Sequence, residues 1–455
     1  MRHRLPSSIL REYDIRGTVG QSLSAPDAMA IGRAFGSIVR RGGGARVVVG
    51  RDGRLSSPML EAALVDGLLG AGIDVVRIGV GPSPMLYHAE RHLDVDGGIQ
   101  VTGSHNPRDD NGFKMVLGHR PFFGSDITAL AALSEQGDVE SGAGRVSERA
   151  MLPDYVGRLA AADGLVPLRI AWDAGNGAAG PAIERLVRLL PGEHHLLFTD
   201  VDGNFPNHHP DPTEEANLAD LKALVARERL DLGVAFDGDG DRIGAVDGEG
   251  RVIAGDQLLS ILAGPVLRER PGAAIVADVK ASGTLFDHIA ELGGRPVMWK
   301  SGHSNIKTMM HEVGAPLAGE MSGHIFFGEL GGHDDALYAA IQLIRAIGAS
   351  GKTLAALRDA MPKVVATPEL RFPVDEARRE AVVQEVLARL AADGAEVDRT
   401  DGARVTTADG WWLLRASNTQ AMLTARAEAR DQGALDRLVA AIDRQLALSG
   451  VSRIQ

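Results

Sequence analysis

The chain has 455 residues, of which 44% are hydrophobic and 24% are charged. This composition is typical of globular proteins and excludes the disordered and fibrous classes. The formal net charge of -12 and the aromatic content of 4% argue against a broad basic face or a stacking platform for nucleic acid. At roughly 100 to 200 residues per domain, the length predicts about three or four domains.

Cysteine is absent from the sequence, which excludes disulfides, thiolate nucleophiles and Cys-ligated metal sites. The N-terminal stretch is polar and lacks the apolar core of a signal peptide. The longest apolar run falls well short of the roughly 18 residues that a membrane span needs. We therefore expect a cytoplasmic protein with no membrane or nucleic-acid partner. We expect a monomer, with a dimer as the alternative.

Short apolar strands followed by Gly-rich turns and amphipathic stretches recur along the chain, a pattern typical of βα units. The predicted strands cover residues 45–50, 98–101, 168–172, 232–236 and 273–279. A stretch rich in Gly, Ser and Glu at residues 135–149 predicts a linker. After residue 367, a helix at 375–392, a strand at 411–415 and a helix at 435–448 are predicted. The sequence thus predicts an α/β fold of three similar tandem α/β domains with mixed sheets, followed by a C-terminal α+β domain.

The first loop that carries chemistry is TGSHNP at residues 102–107, which follows a predicted strand and precedes NGFK at residues 111–114. The hydroxyl of Ser104 is expected to be exposed beside His105 and near the cation Lys114, so Ser104 is a candidate covalent nucleophile. The G-x-S-x-G elbow is not the explanation, because Asn106 stands at its last position. Taken alone, a Ser-His pair on a loop is more often a capping turn.

The second loop is DGDGDR at residues 237–242, directly after a predicted strand. Its carboxylates alternate with glycines, so Asp237, Asp239 and Asp241 can converge on one hard cation. An EF-hand begins in the same way, but Arg242 stands where that loop requires Gly, and Gly248 stands where it requires Glu. Mg²⁺, which is typically held by few carboxylates and a substrate phosphate, fits this set. A solvated acidic turn is the alternative.

Two further loops carry groups suited to a phosphorylated sugar. RASNT at residues 415–419 offers a guanidinium, hydroxyls, an amide and consecutive backbone N–H groups, which suit a phosphate dianion. GEMSGH at residues 319–324 offers the oxygen atoms of Glu320 and Ser322, which can bind vicinal sugar hydroxyls. Taken alone, each loop is more simply explained as structural.

In their order along the chain, these loops, with EYDIRG at residues 12–17 and VDGNFP at residues 201–206, resemble the motifs of the α-D-phosphohexomutase superfamily. The closest resemblance is to its phosphomannomutase/phosphoglucomutase branch, and it spans nearly the whole chain. One departure is Gln420-Ala421, where the family often has an acidic or polar residue followed by proline. The resemblance implies four domains around a central active-site cleft. They would be a phosphoserine-bearing domain (1–147), a metal-binding domain (148–252), a sugar-recognition domain (253–364) and a phosphate-binding domain (365–455).

The resemblance also implies the residues of the site. One Mg²⁺ per chain would be held by Asp237, Asp239, Asp241 and the phosphate carried by Ser104. The catalytic positions would be Ser104, Arg16, His105, Lys114, Arg242 and His324. The substrate-binding positions would be Tyr13, Lys280, His303, Glu320, Met321, Ser322, Gly323, His324, Arg415, Ala416, Ser417, Asn418 and Thr419.

The reaction that the resemblance implies moves a phosphoryl group between Ser104 and a hexose monophosphate, with hexose 1,6-bisphosphate as intermediate and activator. The partners would be small hexose phosphates. No residue can be identified that must read the hydroxyl at C2, so the preferred epimer, glucose or mannose, stays open. Glu320 and Ser322 would address O3 and O4, which predicts that both epimers are turned over.

Three other functions fit parts of the sequence. Phosphoglucosamine mutase activity is the alternative within the superfamily, although that branch commonly has Gln at the position of Met321. GNGAAG at residues 175–180 matches G-x-G-x-x-G after a strand, which by itself predicts a Rossmann-type NAD-binding oxidoreductase. We favour a tight βα turn there, because a similar segment recurs in phosphohexomutases. The intact Ser104 and aspartates oppose a non-catalytic sugar-phosphate binding protein.

Overall fold

Four β-sheets follow one another along the chain, and the computed structural model describes residues 2–417 and 422–453. The first group comprises β1 (Ile15–Thr18), α1 (Ala25–Arg41), β2 (Arg46–Arg51), α2 (Ser57–Gly70), β3 (Asp74–Val80), α3 (Ser83–His92), β4 (Gly97–Val101), β5 (Asp110–Leu117), β6 (Arg120–Pro121), α4 (Ser125–Gln136) and β7 (Val146–Glu148). Its sheet has the order β1-β5-β4-β2-β3-β7, with β6 paired to β5. The central strands are parallel, and β5 is antiparallel to both of its neighbours β1 and β4.

The segment 135–149 is only partly the linker that its composition predicts. Its last residues form β7, a parallel edge strand on β3. Backbone bonds hold the approach to this strand, since Val75 N donates to the carbonyl of Arg145 at 2.8 Å. The error has a simple cause: β7 has three exposed residues, so it lacks the apolar alternation that identifies a strand in a sequence.

The second group is built on a five-stranded mixed sheet in the order β12-β11-β10-β8-β9. Its elements are α5 (Leu152–Ala160), β8 (Leu168–Asp173), α6 (Gly180–Leu186), β9 (Gly192–Leu197), α7 (Ala219–Glu228), β10 (Leu232–Phe236), β11 (Ile243–Asp247) and β12 (Val252–Ile253). β8, β9 and β10 are parallel, and β11 returns antiparallel to β10. The strand β10 is buried throughout, which explains its unbroken apolar sequence.

The third group repeats this plan with a five-stranded sheet in the order β14-β13-β15-β16-β17. Its elements are α8 (Gly255–Glu269), β13 (Ala274–Asp278), α9 (Gly283–Glu291), β14 (Arg295–Trp299), α10 (His303–Val313), β15 (Leu317–Gly319), β16 (Ile325–Phe327), β17 (His333–Asp334), α11 (Ala336–Ser350) and α12 (Leu354–Asp359). β13, β14 and β15 are parallel, whereas β16 and β17 are antiparallel.

The fourth group differs from the first three because every pairing in its sheet is antiparallel. Its elements are β18 (Val365–Ala366), β19 (Leu370–Pro373), α13 (Arg379–Ala392), β20 (Glu396–Asp398), β21 (Ala403–Thr407), β22 (Gly410–Ala416), β23 (Met422–Ala429) and α14 (Gln432–Ala447). The sheet order is β18-β23-β22-β21-β20, with β19 on β23. The helices predicted at 375–392 and 435–448 are thus present with shifted ends.

The largest buried apolar cluster joins the second and third groups and reaches α3 of the first. Helix α11 lies at its centre: Leu337, Ile341, Leu343 and Ile344 are each at most 3% exposed. Burial of such side chains contributes about 1.5 to 3 kcal/mol each, so α11 is a strong link between these groups. The N-terminus of α11 is capped by Asp335, which accepts a hydrogen bond from Tyr338 N at 2.9 Å. Within the described part of the chain, no helix combines the length and apolarity needed to cross a membrane.

The glycine-rich turn at residues 175–180 is a packing element. A Cβ at Gly180 would lie 1.9 Å from the carbonyl oxygen of Thr199, and one at Gly177 would lie 2.9 Å from that of Gly238. The amides of the turn are also engaged, since Ala178 N donates to Gly238 O at 3.0 Å and Gly177 N to Ala174 O at 2.7 Å. These glycines therefore let the turn pack closely against its neighbours.

Candidate active site

Three loops that follow parallel strands meet at one place. The serine loop lies between β4 and β5, the aspartate loop between β10 and β11, and the GEMSGH loop between β15 and β16. A Cβ at Gly238 would lie 2.4 Å from Ser104 O, so only glycine lets the first two loops touch. Ile243 N donates to Gly323 O at 3.0 Å, which joins the second loop to the third. The sheet edges of three separate groups thus form one site.

Ser104 is buried, 1% exposed, and has a left-handed backbone with φ 50°. Such a conformation costs a non-glycine residue about 1 to 3 kcal/mol and persists where the surroundings enforce it. Ser104 Oγ donates to Asp237 Oδ2 at 2.8 Å and lies 3.2 Å from His105 Nδ1. The hydroxyl therefore faces the aspartate loop directly, with an imidazole at its side.

A buried arginine that the sequence analysis did not select holds the serine loop in this shape. Arg54 is 1% exposed and lies 3.3 Å from Asp52. Its guanidinium donates to four backbone carbonyls at 2.5 to 2.9 Å, those of Ser104, Asn106, Pro107 and Asp110. Asp52 completes the clamp by accepting a bond from Gly103 N at 3.0 Å. The sequence feature that could have indicated this role is the run Asp52-Gly53-Arg54 directly after β2, which places two opposite charges in a βα turn. Both side chains are buried in the structure.

The three aspartates of the second loop form a buried cluster. Ligand atoms of Asp237, Asp239 and Asp241 all lie within 4.8 Å of one another, and each residue is at most 1% exposed. Lys114 on β5 lies among them, with Nζ at 2.8 Å from Asp239 Oδ2 and 2.5 Å from Asp241 Oδ2. Ser83, the first residue of α3, donates to Asp239 Oδ2 at 2.5 Å. The first group thus supplies both a cation and a hydroxyl to carboxylates of the second.

Burial and mutual repulsion perturb the pKa values of this cluster. Burial raises the pKa of Asp237 well above its ordinary value, and the charges of Asp239 and Asp241 raise it further. Burial lowers the pKa of Lys114, but the charges of Asp239 and Asp241 outweigh it and hold that pKa well above the ordinary value. Burial raises the pKa of Asp241, yet Lys114 and His324 bring it well below the ordinary value. The cluster therefore concentrates negative charge, which Lys114 and His324 offset at close range.

The donor set fits a hard divalent cation. All of its ligand atoms are carboxylate or hydroxyl oxygens, the type that Mg²⁺ prefers. Asp239 Oδ1 is buried and has no hydrogen-bond partner within the described ranges, so the protein leaves this carboxylate oxygen uncommitted. A buried acceptor of this kind is costly unless something binds it. The geometry therefore supports a metal site formed by Asp237, Asp239 and Asp241.

The GEMSGH loop places a carboxylate and an imidazole beside this cluster. Glu320, 4% exposed, accepts a bond from Gly302 N at 2.6 Å, and its Oε2 lies 3.3 Å from His324 Nδ1. His324 Nε2 lies 3.3 Å from Asp241 Oδ1. Burial lowers the pKa of His324, but the carboxylates, Asp241 first, raise it to about 9. Ser322 Oγ lies 2.9 Å from His324 Nδ1.

The remaining residues of this loop and its neighbours lie nearby. Gly323 has a left-handed φ of 84° that closes the turn, and Met321 N donates to Asp278 Oδ1 at 3.4 Å. Lys280 Nζ is 3.7 Å from Asp278 Oδ2. The rings of His303 and His324 lie 5.8 Å apart, measured between centroids.

Tyr13 and Arg16 bring the start of the chain into the site. Tyr13 donates from its hydroxyl to Ser301 O at 2.8 Å, and its ring lies 5.7 Å from that of His303. Arg16, on β1, donates to Asp14 and to Asn106 Oδ1, each at 2.5 Å. Burial lowers the pKa of Arg16, but Asp14 and the aspartate cluster outweigh it and raise that pKa.

His105 and Arg242 complete the set of predicted catalytic residues. Burial lowers the pKa of His105 well below its ordinary value, and the charges of Arg242, Arg16 and Lys114 lower it further. Arg242 pairs in a β-bridge with His324, and its Nε has no hydrogen-bond partner in the described part of the chain.

The fourth group contributes Arg415 at the end of β22. Arg415 is 6% exposed and donates from Nε to Asp401 Oδ2 at 2.9 Å. The same oxygen accepts a bond from Ser301 N at 3.1 Å, so Asp401, which the sequence analysis did not select, ties this group to the third. Ala416 and Ser417 follow on the same strand end. Asn418 and Thr419, also predicted for this loop, lie outside the described residues.

The comparisons with known proteins agree with this architecture. Four family models match in order: phosphoglucomutase/phosphomannomutase alpha/beta/alpha domain I at residues 7–138, domain II at 154–250, domain III at 254–365 and the C-terminal domain at 369–445. A phosphomannomutase/phosphoglucomutase of Pseudomonas aeruginosa is 44% identical over 97% of this chain and 96% of its own. The chain belongs to the phosphoglucomutase/phosphomannomutase family.

Other relatives place it equally firmly among the enzymes of that family. A phosphoglucomutase of Neisseria gonorrhoeae is 42% identical over 94% of this chain and 95% of its own. A crystal structure of a phosphoglucomutase/phosphomannomutase family protein from Burkholderia thailandensis covers 98% of each chain with a TM-score of 0.93 and 44% identity. The predictions of the family and of three α/β domains with a C-terminal domain are confirmed. The NAD-binding and phosphoglucosamine mutase alternatives are not favoured by these relatives.

Proposed function

We propose that this protein interconverts hexose 1-phosphates and hexose 6-phosphates of mannose and glucose through a phosphoserine at Ser104. The observation that carries the proposal is the position of the Ser104 hydroxyl. It is buried, held in a strained backbone, and bonded to a carboxylate of a three-aspartate cluster. A serine that only capped a turn would need none of these carboxylates.

Phosphoryl transfer depends mainly on positioning and on neutralising oxygen charge, and the cleft is built for both. We assign charge neutralisation to Arg16, Lys114 and Arg242. We assign the proton movements at the leaving and attacking oxygens to His105 and His324. The Nδ1 atom of His105 lies 3.2 Å from Ser104 Oγ.

We propose that one Mg²⁺ per chain is held by Asp237, Asp239, Asp241 and the Ser104 phosphate. When bound, the ion would neutralise negative charge on the transferring group. The contacts of Ser83 and Lys114 with Asp239 and Asp241 support this assignment, because they orient the two carboxylates from the first group.

We assign substrate contacts to the remaining predicted residues. Glu320, Met321, Ser322, Gly323 and His324 would hold the sugar hydroxyls. Tyr13, Lys280 and His303 would make further contacts with the substrate. The distal phosphate would be bound by the stretch Arg415, Ala416, Ser417, Asn418 and Thr419. Hexose 1,6-bisphosphate would be the intermediate and activator. It would reorient in the site between two half-reactions, so that either phosphate can face Ser104.

Several broader proposals follow. The domains would divide at residues 1–147, 148–252, 253–364 and 365–455. The partners would be hexose phosphates alone, and we propose a cytoplasmic monomer with no nucleic-acid or membrane partner. The net charge of -12 supports the exclusion of polyanions.

The test is a coupled assay of the purified chain with glucose 1-phosphate, mannose 1-phosphate and glucosamine 1-phosphate. We expect turnover of the first two, one phosphate on the protein by intact mass, and loss of both properties in Ser104→Ala. Ser125→Ala, at an exposed serine that begins α4, is the control. Full turnover in Ser104→Ala would refute the phosphoserine, and turnover of only the glucosamine substrate would refute the substrate class.

A further inference from the structure

Lys280 lies on a loop of the third group, residues 279–282 between β13 and α9, which we call the Lys280 loop. Its backbone is held by side chains of the fourth group. Arg404 Nη1, on β21, donates to the carbonyls of the two residues that flank Lys280, at 2.5 and 2.9 Å. Arg426 Nη1, on β23, donates to the carbonyl of Lys280 itself at 2.7 Å. Two guanidiniums of one group therefore bind three successive carbonyls of another.

The amides that follow Lys280 are bonded to carboxylates. Ser282 N donates to Asp256 Oδ2, on α8, at 2.9 Å. Gly283 N donates at 3.0 Å to Glu428 Oε1, on β23, and the Ser282 hydroxyl donates to the same oxygen at 2.9 Å. That oxygen also accepts a bond from Trp411 Nε1 at 2.9 Å. Charged partners thus fix the main chain at Lys280 and directly after it, and hydrogen bonds to charged groups are the stronger class.

The two arginines are themselves held in place. Arg404 is 7% exposed, and its guanidinium carbon lies 3.7 Å from the centroid of the Trp411 ring. The Arg426 side chain is 13% exposed, and its Nη2 lies 3.9 Å from Asp256 Oδ2. A buried guanidinium is costly unless its N–H groups are bonded, and the carbonyls of the Lys280 loop supply those bonds. The arginines and the loop therefore constrain each other.

The Lys280 ammonium lies beside the GEMSGH loop. Its Nζ is 3.7 Å from Asp278 Oδ2, and the side chain is 20% exposed. The other oxygen of that carboxylate accepts the bond from Met321 N at 3.4 Å. A separation of 3.7 Å is too long for a hydrogen bond, and lysine is a point charge on a flexible stem. The place of the ammonium therefore depends on the backbone from which its stem starts.

We propose that Arg404 and Arg426 are positioning residues that place the Lys280 ammonium for the substrate. This inference rests on the proposed function, in which Lys280 contacts the sugar phosphate and Arg415 binds the distal phosphate. Arg404, Arg415 and Arg426 lie on the neighbouring strands β21, β22 and β23 of one sheet. The sheet that presents Arg415 to the phosphate thus also sets the backbone of Lys280, so the two cationic contacts are coupled.

The test is a double-mutant cycle in kcat/KM for glucose 1-phosphate, with Arg426→Met, Lys280→Met and the double variant of the full chain. We expect Lys280→Met to lower kcat/KM by about 10- to 150-fold, as for one lost charged hydrogen bond, and Arg426→Met to lower it by at least about fivefold. Because Arg426 acts through Lys280, adding Arg426→Met to Lys280→Met should change kcat/KM by less than about twofold. Losses that multiply in the double variant would overturn the proposal, as would an Arg426→Met variant with wild-type kcat/KM. Arg430→Met, at an exposed arginine just after β23, is the matched control.

Amide hydrogen exchange followed by mass spectrometry tests the structural step without turnover. Segment 279–283 should exchange faster in Arg426→Met than in the wild type, and Arg430→Met should leave its exchange unchanged. Unchanged exchange in Arg426→Met would overturn the proposal even if the wild type is an active mutase. A wild type that turns over no hexose phosphate would refute the proposed function, whereas the exchange data would still decide whether the fourth group holds the loop. Arg426 is substituted in preference to Arg404, whose deeper burial makes unfolding a risk.

Discussion

Arg54 is expected to control activity without touching substrate, through the shape of the serine loop. Arg54→Lys keeps the positive charge beside Asp52 but cannot reproduce the guanidinium fork that reaches four carbonyls. Ser104 would then be free to leave its left-handed conformation, whose cost of about 1 to 3 kcal/mol is currently enforced by the clamp. A bias of this size changes a population by about 5- to 150-fold, so kcat/KM should fall by a comparable factor.

The assay compares kcat/KM for glucose 1-phosphate and the melting temperature in Arg54→Lys and in Arg51→Lys. Arg51 lies three residues earlier and pairs with buried Glu61 at 3.0 Å, so Arg51→Lys perturbs a similar ion pair away from the serine loop. We expect comparable losses of stability but a much larger loss of activity in Arg54→Lys. Arg54→Met should cost about 3 to 5 kcal/mol of stability, because it leaves Asp52 buried without its cation. Equal activities of the two lysine variants would refute the clamp.

Four other predictions test different parts of the molecule. Asp239→Asn should raise the Mg²⁺ concentration for half-maximal activity by at least about tenfold after chelation; an unchanged metal titration would argue against the site. Arg415→Met should raise KM for glucose 1-phosphate and mannose 1-phosphate alike, by about 10- to 150-fold, and an effect on one substrate alone would contradict a grip on the shared phosphate. The wild type should turn over these epimers with kcat/KM values within about tenfold, and Glu320→Ala should impair both; a preference above about a hundredfold would reveal a contact at C2. Burial lowers the pKa of His208, but its bonds to the Asp173 carboxylate outweigh burial and raise it above 6.5. Protonated His208 therefore stabilises the fold fully below about pH 6.5 and less as pH rises through the folded-state pKa, so His208→Gln should lower the melting temperature more at about pH 6 than at about pH 8.5. An equal decrease at both pH values would contradict this linkage.

Much of the fold was predictable because most of its buried strands are recognisable in the sequence as short apolar runs. β10 is apolar throughout, β13 is apolar up to its last residue Asp278, and both strands are buried throughout. Each ends at a loop of Gly and polar residues. That pattern was enough to place Ser104 and the aspartates at strand ends. It failed at β7, an exposed edge strand whose only signal is pairing with β3.

The supporting residues could not be found in the same way, because their meaning depends on distant partners. Ser83 and Asp239 are 156 residues apart, and Arg54 is 50 residues from Ser104. Ser83 begins a helix, where serine is common for local reasons, and Arg54 follows an ordinary βα turn. Their function is visible only in the folded chain, where the start of α3 meets the aspartate loop of the second group and the Arg54 turn meets the serine loop of its own group.

The charges of the aspartate cluster explain why an acidic protein can handle phosphate. Counted as ionised, three carboxylates face two cations at close range, Lys114 and His324, whose pKa is raised to about 9, so the buried cluster keeps an excess of negative charge. That excess would repel a phosphoserine that carries about two negative charges, and a divalent cation held by the aspartates would reverse it. Arg16 and Arg242 would then face the added phosphate charge. Removing a single carboxylate, as in Asp239→Asn, therefore weakens the cation and the phosphoryl site together, and lost metal affinity and lost turnover should appear in the same variant.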